Sequence, residues 1–150
     1  MLLKFKKCRD VKSPARAHAT DAGIDFYVPK DYYQCVLPNK SVLIPSGIKV
    51  EIPYGYMGLF LNKSGVASKK KLLVGAQVID TFYDGEVHIN LHNIGTESID
   101  ISPDDKIIQM VLVPILSCNL VEVKDDEPLY DWMKDESVRG VSGFGSSDKK

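Results

Sequence analysis

Cysteine is scarce. The 150 residues contain three, Cys8, Cys35 and Cys118, an odd number at wide spacing that excludes a disulfide framework and a CxxC metal site. They read as reduced thiols, which predicts a cytoplasmic setting. Neither sign of charge is in excess: 19 Lys and Arg stand against 20 Asp and Glu, for a formal net charge of -1. No global field draws a polyanion, so no nucleic-acid partner is expected. No apolar run approaches membrane-spanning length, and the opening MLLKFKKCRD becomes charged too soon for a signal peptide. No membrane association is expected. A GxxxxGK[ST] phosphate loop is missing, and the glycine order G-x-x-G-x-G near the C-terminus reverses the dinucleotide fingerprint. No serine or cysteine lies in a nucleophile-elbow context, which argues against covalent catalysis. Histidine is limited to His18, His88 and His92. The last two share a strand face but lie ~13 Å apart, too far to bind one zinc together, so all three are expected at the surface.

What remains is ordinary globular composition, 44% hydrophobic and 26% charged, enough for one domain with a core. Helical periodicity is nearly absent. Leu2 to Lys7 reads as a first strand and Lys12 to Thr20 as a loop. From Tyr32 to Leu61, strands at Cys35–Leu37, Val42–Ile44, Ile48–Ile52 and Met57–Leu61 alternate with turns at Pro38-Asn39, Pro45-Ser46-Gly47 and Pro53-Tyr54-Gly55. Such spacing of turn signals marks a sandwich or barrel of short strands. One helix is expected from about Ser64, with Ser64 as N-cap. Its free amides beside Lys63 read either as a phosphate site or as a capped surface turn. Further strands are expected at Ser98–Ile101, Lys106–Val113 and Leu120–Val123, and a helical turn at Pro128–Lys134.

The stretch Val74 to Asn93, VGAQVIDTFYDGEVHINLHN, places a lone carboxylate, Asp80, in an apolar run ahead of an Asp-Gly turn. Val87, Ile89 and Leu91 then alternate with Glu86, His88, Asn90 and His92, and the whole reads as a β-hairpin. Asp80 is either a turn aspartate or a group held where main chain can read a ligand. Asp21 and Asp25 bracket Gly23; in an extended segment they lie ~13 Å apart, too far to share one ion directly. Gln109 interrupts an apolar strand, and a buried amide must be hydrogen-bonded to protein or ligand. The end of the chain, Arg139 to Ser147, has too little apolar surface to order itself alone. It still carries a cation, a ring and hydroxyls suited to a nucleotide.

Five stretches resemble, in order, the motifs of the homotrimeric dUTPases: DAGIDFY at Asp21–Tyr27, NKSGVASKK at Asn62–Lys70, VGAQVIDTFYDGE at Val74–Glu86, DDKIIQMV at Asp104–Val111 and RGVSGFGSS at Arg139–Ser147. The resemblance implies an all-β, jelly-roll-like barrel or sandwich with one or two short helices. Residues 1–138 would form the domain and 139–150 a flexible Gly-rich arm that completes a neighbour's active site in a homotrimer. It implies hydrolysis of dUTP to dUMP and pyrophosphate, with Asp80 as general base toward water attacking the α-phosphorus and Gln109 assisting in catalysis. It assigns the substrate to Lys63, Ser64, Gly65, Gly75, Gln77, Val78, Tyr83 and His88, and to Arg139, Phe144, Gly145, Ser146 and Ser147 of the arm. Tyr83 would lie beneath the deoxyribose, and main chain at Gly75 to Val78, opposite His88, would read uracil. Asp25 would hold Mg²⁺ through water, alongside the triphosphate. A dCTP deaminase of the same superfamily and a nucleotide-gated regulatory protein are the alternatives.

The chain departs from the family pattern at several positions. Lys63 replaces the motif-two arginine, so a forked phosphate contact becomes a point charge. Gln77 replaces a glycine, Phe82 an acidic residue and Asp84 a basic one. Motif four begins Asp104-Asp105-Lys106, where Gly-Asp-Arg is usual. Residues 124–138 are longer than the usual link and form a candidate docking segment for a protein partner.

Overall fold

The computed structural model describes residues 1–130. Its compact body is Met1–Ser117, and a second unit starts at Cys118. The boundary expected after residue 138 and the arm residues Arg139, Phe144, Gly145, Ser146 and Ser147 lie outside the described residues, as does most of the helical turn expected at Pro128–Lys134.

The body is built from β1 (Lys4–Lys7), β2 (Ile24–Tyr27), β3 (Gln34–Val36), β4 (Ser41–Pro45), β5 (Ile48–Glu51), β6 (Tyr56–Asn62), α1 (Ser64–Lys70), β7 (Leu72–Val74), β8 (Val78–Ile79), β9 (His88–Asn93), β10 (Ile99–Ile101) and β11 (Lys106–Pro114). The expected all-β, jelly-roll-like class holds, with one short helix and no closed barrel among the described residues. Every strand pair is antiparallel.

Four sheets form: β1-β5, β10-β3, β2-β11-β6-β8 and β4-β9-β7. β11 lies between β2 and β6, with Ile107, Ile108 and Met110 fully buried. An inner strand covered on its faces needs a nearly continuous apolar run, and KIIQMVLVP supplies one. Phe26 of β2 and Phe60 of β6 meet edge to face across it, ring centroids 5.2 Å apart, a favoured aromatic geometry.

Two expectations fail here. β8 and β9 are not a hairpin: β8 pairs with β6, through Gly58↔Ile79 and Leu59↔Val78, while β9 pairs with β4 and β7. Alternation reports which face a side chain takes and says nothing about which strand lies beside it. Leu120–Val123 forms no strand, and Leu120 and Val121 are exposed. An apolar run becomes a strand only where an edge is available to pair with. Among the described residues no helix is long and apolar enough to cross a membrane.

Candidate active site

The implied site residues fall into two groups. The first gathers where β2, β11 and the start of α1 meet. Gln109 is the register partner of both Asp25 and Leu61, and its Nε2–H donates to the Asn62 carbonyl at 2.9 Å. Gln109 is half-buried, and its amide already has a protein partner. Gly23 explains its direction, because a Cβ there would stand 2.0 Å from Gln109 Oε1. Gly23 was not among the implied site residues; its signal was a glycine bracketed by two carboxylates. Gly23→Ala is expected to displace the Gln109 amide and lower kcat/KM about 10- to 100-fold, the scale set by misplacement of an aligned group, with a small change in melting temperature. Steady-state kinetics beside thermal unfolding checks both.

Asp25 is 4% exposed. Lys63 Nζ donates to its Oδ1, and Lys106 Nζ lies 3.1 Å from its Oδ2. Asp25 also holds the Lys106 ammonium above its ordinary range, first through that hydrogen bond and then through its charge. Thus the two arginine-to-lysine departures of motifs two and four end on the same carboxylate. Lys63, with φ -80° and ψ 130°, is the N-cap of α1, and Ser64 is its first helical residue. The cap therefore lies one residue before the expected Ser64. No side chain caps the helix and its first turn holds no acid. A cavity of about 320 Å³ is lined by Lys63, Ser64, Gly65, Lys69, Lys70 and Gln109. Among the described residues no group of three His, Cys, Asp or Glu side chains could hold a metal. The donor set is one carboxylate whose two oxygens face Lys63 and Lys106, so it suits only a hydrated ion held at one remove that brings other ligands with it.

The second group is the turn after β8. Asp80 is exposed, and its carboxylate has no hydrogen-bond or ion-pair partner among the described residues. The turn is tied down on several sides: Thr81 Oγ1 donates to the Tyr56 carbonyl at 2.8 Å, Lys49 Nζ to the Asp84 carbonyl at 2.7 Å, and Tyr83 Oη to the Glu86 carbonyl at 3.0 Å. Phe82 adopts φ 68° and is 87% exposed. Such a backbone is costly for a bulky residue and is held by its surroundings. The Tyr83 ring lies on Gly85, where a Cβ would fall 2.2 Å from Tyr83 Oη.

The main chain assigned to uracil is positioned by Asn90 and not by His88. Gly75 N–H donates to the Asn90 carbonyl at 2.9 Å and Ala76 N–H to Asn90 Oδ1 at 3.1 Å, while Asn90 Nδ2 donates to the Val42 carbonyl at 3.1 Å. His88 is exposed and pairs with Pro45, with Nδ1 2.9 Å from the Glu86 carbonyl. The correction follows from register: Val74 faces Leu91, so Gly75 meets Asn90. Gly75 itself has no room for a side chain, because a Cβ there would stand 1.9 Å from Asn90 Oδ1. Gln77 and Val78 carry the chain on into β8, the Gln77 carbonyl accepting Phe60 N–H at 2.8 Å.

The two groups touch β6 at different heights. Ile79, just before Asp80, pairs with Gly58, while Gln109 pairs with Leu61. Three residues along a strand is ~10 Å.

Glu86 closes the turn at its base. Burial disfavours its charge, yet the Arg9 guanidinium and the Gly47 N–H outweigh that and hold the carboxyl below its ordinary 4.5. A depressed folded pKa contributes stability that is present above the unfolded value and lost as pH falls through the folded one. Glu86→Gln should therefore be less stable than the parent at neutral pH, and the gap should close below pH ~4. Urea midpoints measured from neutral pH down into acid check it.

The dUTPase family model matches residues 9–148. The deoxyuridine 5'-triphosphate nucleotidohydrolase of Clostridium tetani is 37% identical, over 98% of this chain and 97% of that protein. Among solved structures, the dUTPase of Staphylococcus bacteriophage 80alpha with dUPNHPP superposes with TM-score 0.81 at 28% identity, over 97% of each chain. A mutant dUTPase from phage phi11 of S. aureus, which coordinates a structural Mg(II) ion, gives 0.76 at 27% over 85% of this chain and 100% of that one. With a family match over almost its whole length and a relative this similar from end to end, the chain belongs to the dUTPase family.

Proposed function

We propose that this chain is a Mg²⁺-dependent dUTP diphosphatase that releases dUMP and pyrophosphate, removing dUTP and supplying dUMP. The observation that carries the reading is Asp80: an exposed carboxylate with no partner among the described residues, on a turn anchored by Thr81, Lys49 and Tyr83. Such a group accepts a proton from water once water and substrate are held in line. The water oxygen attacks the α-phosphorus, the bond to the bridging oxygen breaks, and pyrophosphate leaves with that electron pair. Gln109, held by Asn62, keeps a second N–H for a phosphate or water oxygen. Ser64, Gly65 and the lysines beside them receive phosphate oxygens. Tyr83 lies under the deoxyribose and leaves no space for a 2'-hydroxyl.

Main chain at Gly75 to Val78, fixed by Asn90, mimics a pairing base toward uracil. Cytosine is rejected by mismatched polarity and thymine by its methyl, the first more strongly, because an unpaired buried polar group costs more than a steric misfit. Mg²⁺ would be held by the triphosphate and, through water, by Asp25, where it would neutralise phosphate charge.

Membership of the dUTPase family supports a homotrimer in which each cleft combines parts of different chains. The arm residues Arg139, Phe144, Gly145, Ser146 and Ser147 would close over the nucleotide there. Exposed, unbridged cysteines suit the cytoplasm. The decisive assay is pyrophosphate release from dUTP, dTTP, dCTP and UTP in parallel. Turnover of dUTP alone is expected; ammonia release from dCTP would replace this reading with deamination. Exposed Leu120, Val121 and Leu129 favour one addition, a protein partner docking near residues 124–138. Deleting residues 128–136 should then spare hydrolysis and abolish partner binding.

A further inference from the structure

Glu86 stands between the catalytic turn and β9, and both its side chain and its main chain are committed. Its Oε1 accepts the Gly47 N–H at 2.7 Å and the Arg9 Nε–H at 2.8 Å. Gly47 is buried in the β4–β5 turn with φ 74°, and Arg9 follows β1 and also reaches Asp31 at 3.5 Å. One carboxylate therefore joins the base of the turn to two distant segments of the body. The Glu86 carbonyl meanwhile accepts the Tyr83 hydroxyl at 3.0 Å and lies 2.9 Å from His88 Nδ1.

The Tyr83 ring is thus located by two contacts. Gly85 supports its outer edge, with no room for even a methyl group between them. The Glu86 carbonyl holds its hydroxyl. Within the turn itself the main-chain bond is long, Tyr83 N–H to the Asp80 carbonyl at 3.3 Å. The turn's own hydrogen bonding is weak, so its shape depends on where its ends are fastened.

We propose that Glu86, locked by Arg9 and Gly47, is a positioning residue that sets the height of the Tyr83 ring and thereby the rejection of ribonucleotides. The inference rests on the reading of Tyr83 as the surface beneath the sugar. A hydroxyl differs from a hydrogen by little more than an ångström of reach, so a ring free to drop by that much admits the ribose. Discrimination of this steric kind is worth ~10- to 200-fold for a group of that size, and it is lost when the wall yields.

The test compares kcat/KM for dUTP and UTP in Glu86→Ala, Glu86→Gln and the parent. In Glu86→Ala the dUTP-to-UTP ratio is expected to fall at least ~10-fold, chiefly through faster use of UTP. Glu86→Gln keeps an acceptor for Gly47 and should restore part of the ratio. A role limited to folding would lower both substrates equally, so a folded Glu86→Ala with an unchanged ratio overturns the proposal. If Glu86→Ala does not fold, Arg9→Leu releases the same clamp from its other end and is read in the same way.

A readout without substrate separates this inference from the function it rests on. In the parent, His88 Nδ1 lies 2.9 Å from the Glu86 carbonyl, so the Nδ1–H tautomer is the expected signature in imidazole nitrogen shifts. Loss of that signature in Glu86→Ala supports the clamp, and its persistence overturns it. A parent that leaves dUTP intact would refute the proposed activity, while the nitrogen shifts would still report on the clamp.

Discussion

Asp80→Asn is expected to lower kcat on dUTP by about 10²- to 10⁴-fold, the range for removal of a positioned general base, and to leave nucleotide affinity nearly unchanged. A thousandfold loss corresponds to ~4 kcal/mol of transition-state stabilisation. The substitution keeps size and shape and removes only the capacity to take a proton. Nothing in the fold depends on the charge: the carboxylate is exposed and bonds to no described residue. Melting temperature should stay within a degree or so, since surface changes of this kind fall within about 0.5 kcal/mol. Pyrophosphate release gives kcat, and calorimetry with a non-hydrolysable analogue gives affinity. Turnover at the parental rate would remove Asp80 from the chemistry, whereas equal loss of binding and turnover would make it a binding group.

The second large effect concerns stability. Asp25 is 4% exposed and is charge-paired to both Lys63 and Lys106. Replacing both lysines by methionine leaves a buried carboxylate without a cation, a change that costs about 3–5 kcal/mol when a buried pair is broken. Either single replacement leaves one partner and should cost less. In the double variant the buried Asp25 carboxylate has lost both lysines that neutralise its charge. Adding Asp25→Asn to the double variant should recover most of the loss, because a neutral amide is much cheaper to bury than an unpaired charge. Urea unfolding of the parent, the single and double variants and the triple variant at neutral pH measures all of this. Should the double variant prove as stable as the parent, the pairing would have no net role in the fold.

The same pairing illustrates how far the sequence could be read. Lys63 and Lys106 lie 43 positions apart by their numbers; both stand out as lysines where the family pattern carries arginine, and Lys63 also as the lysine beside a candidate phosphate site. Nothing local joins them. Asp25 brings them together because β2 lies beside β11, and β11 lies beside the strand that leads into Lys63. Gly23 was legible as a punctuating glycine, but its reason, the Gln109 amide lying on it, required the register of β2 against β11. A hairpin between β8 and β9 would have set His88 opposite the segment proposed to read uracil; the actual register sets Asn90 there.

By itself the sequence determined the class of fold, most strand positions, the start of the one helix among the described residues to within a residue and the ordered motifs that mark the family. These are local properties: side-chain periodicity, turn chemistry and residue identity at short spacing. Only the tertiary structure decided which strands are neighbours, which main-chain groups Asn90 fastens, which cations neutralise Asp25 and what holds Tyr83 over Gly85. Those choices depend on hydrogen-bond ladders and ion pairs between segments far apart in the chain. An alternating strand offers the same edge groups to any partner, and the packing of the whole core selects among them.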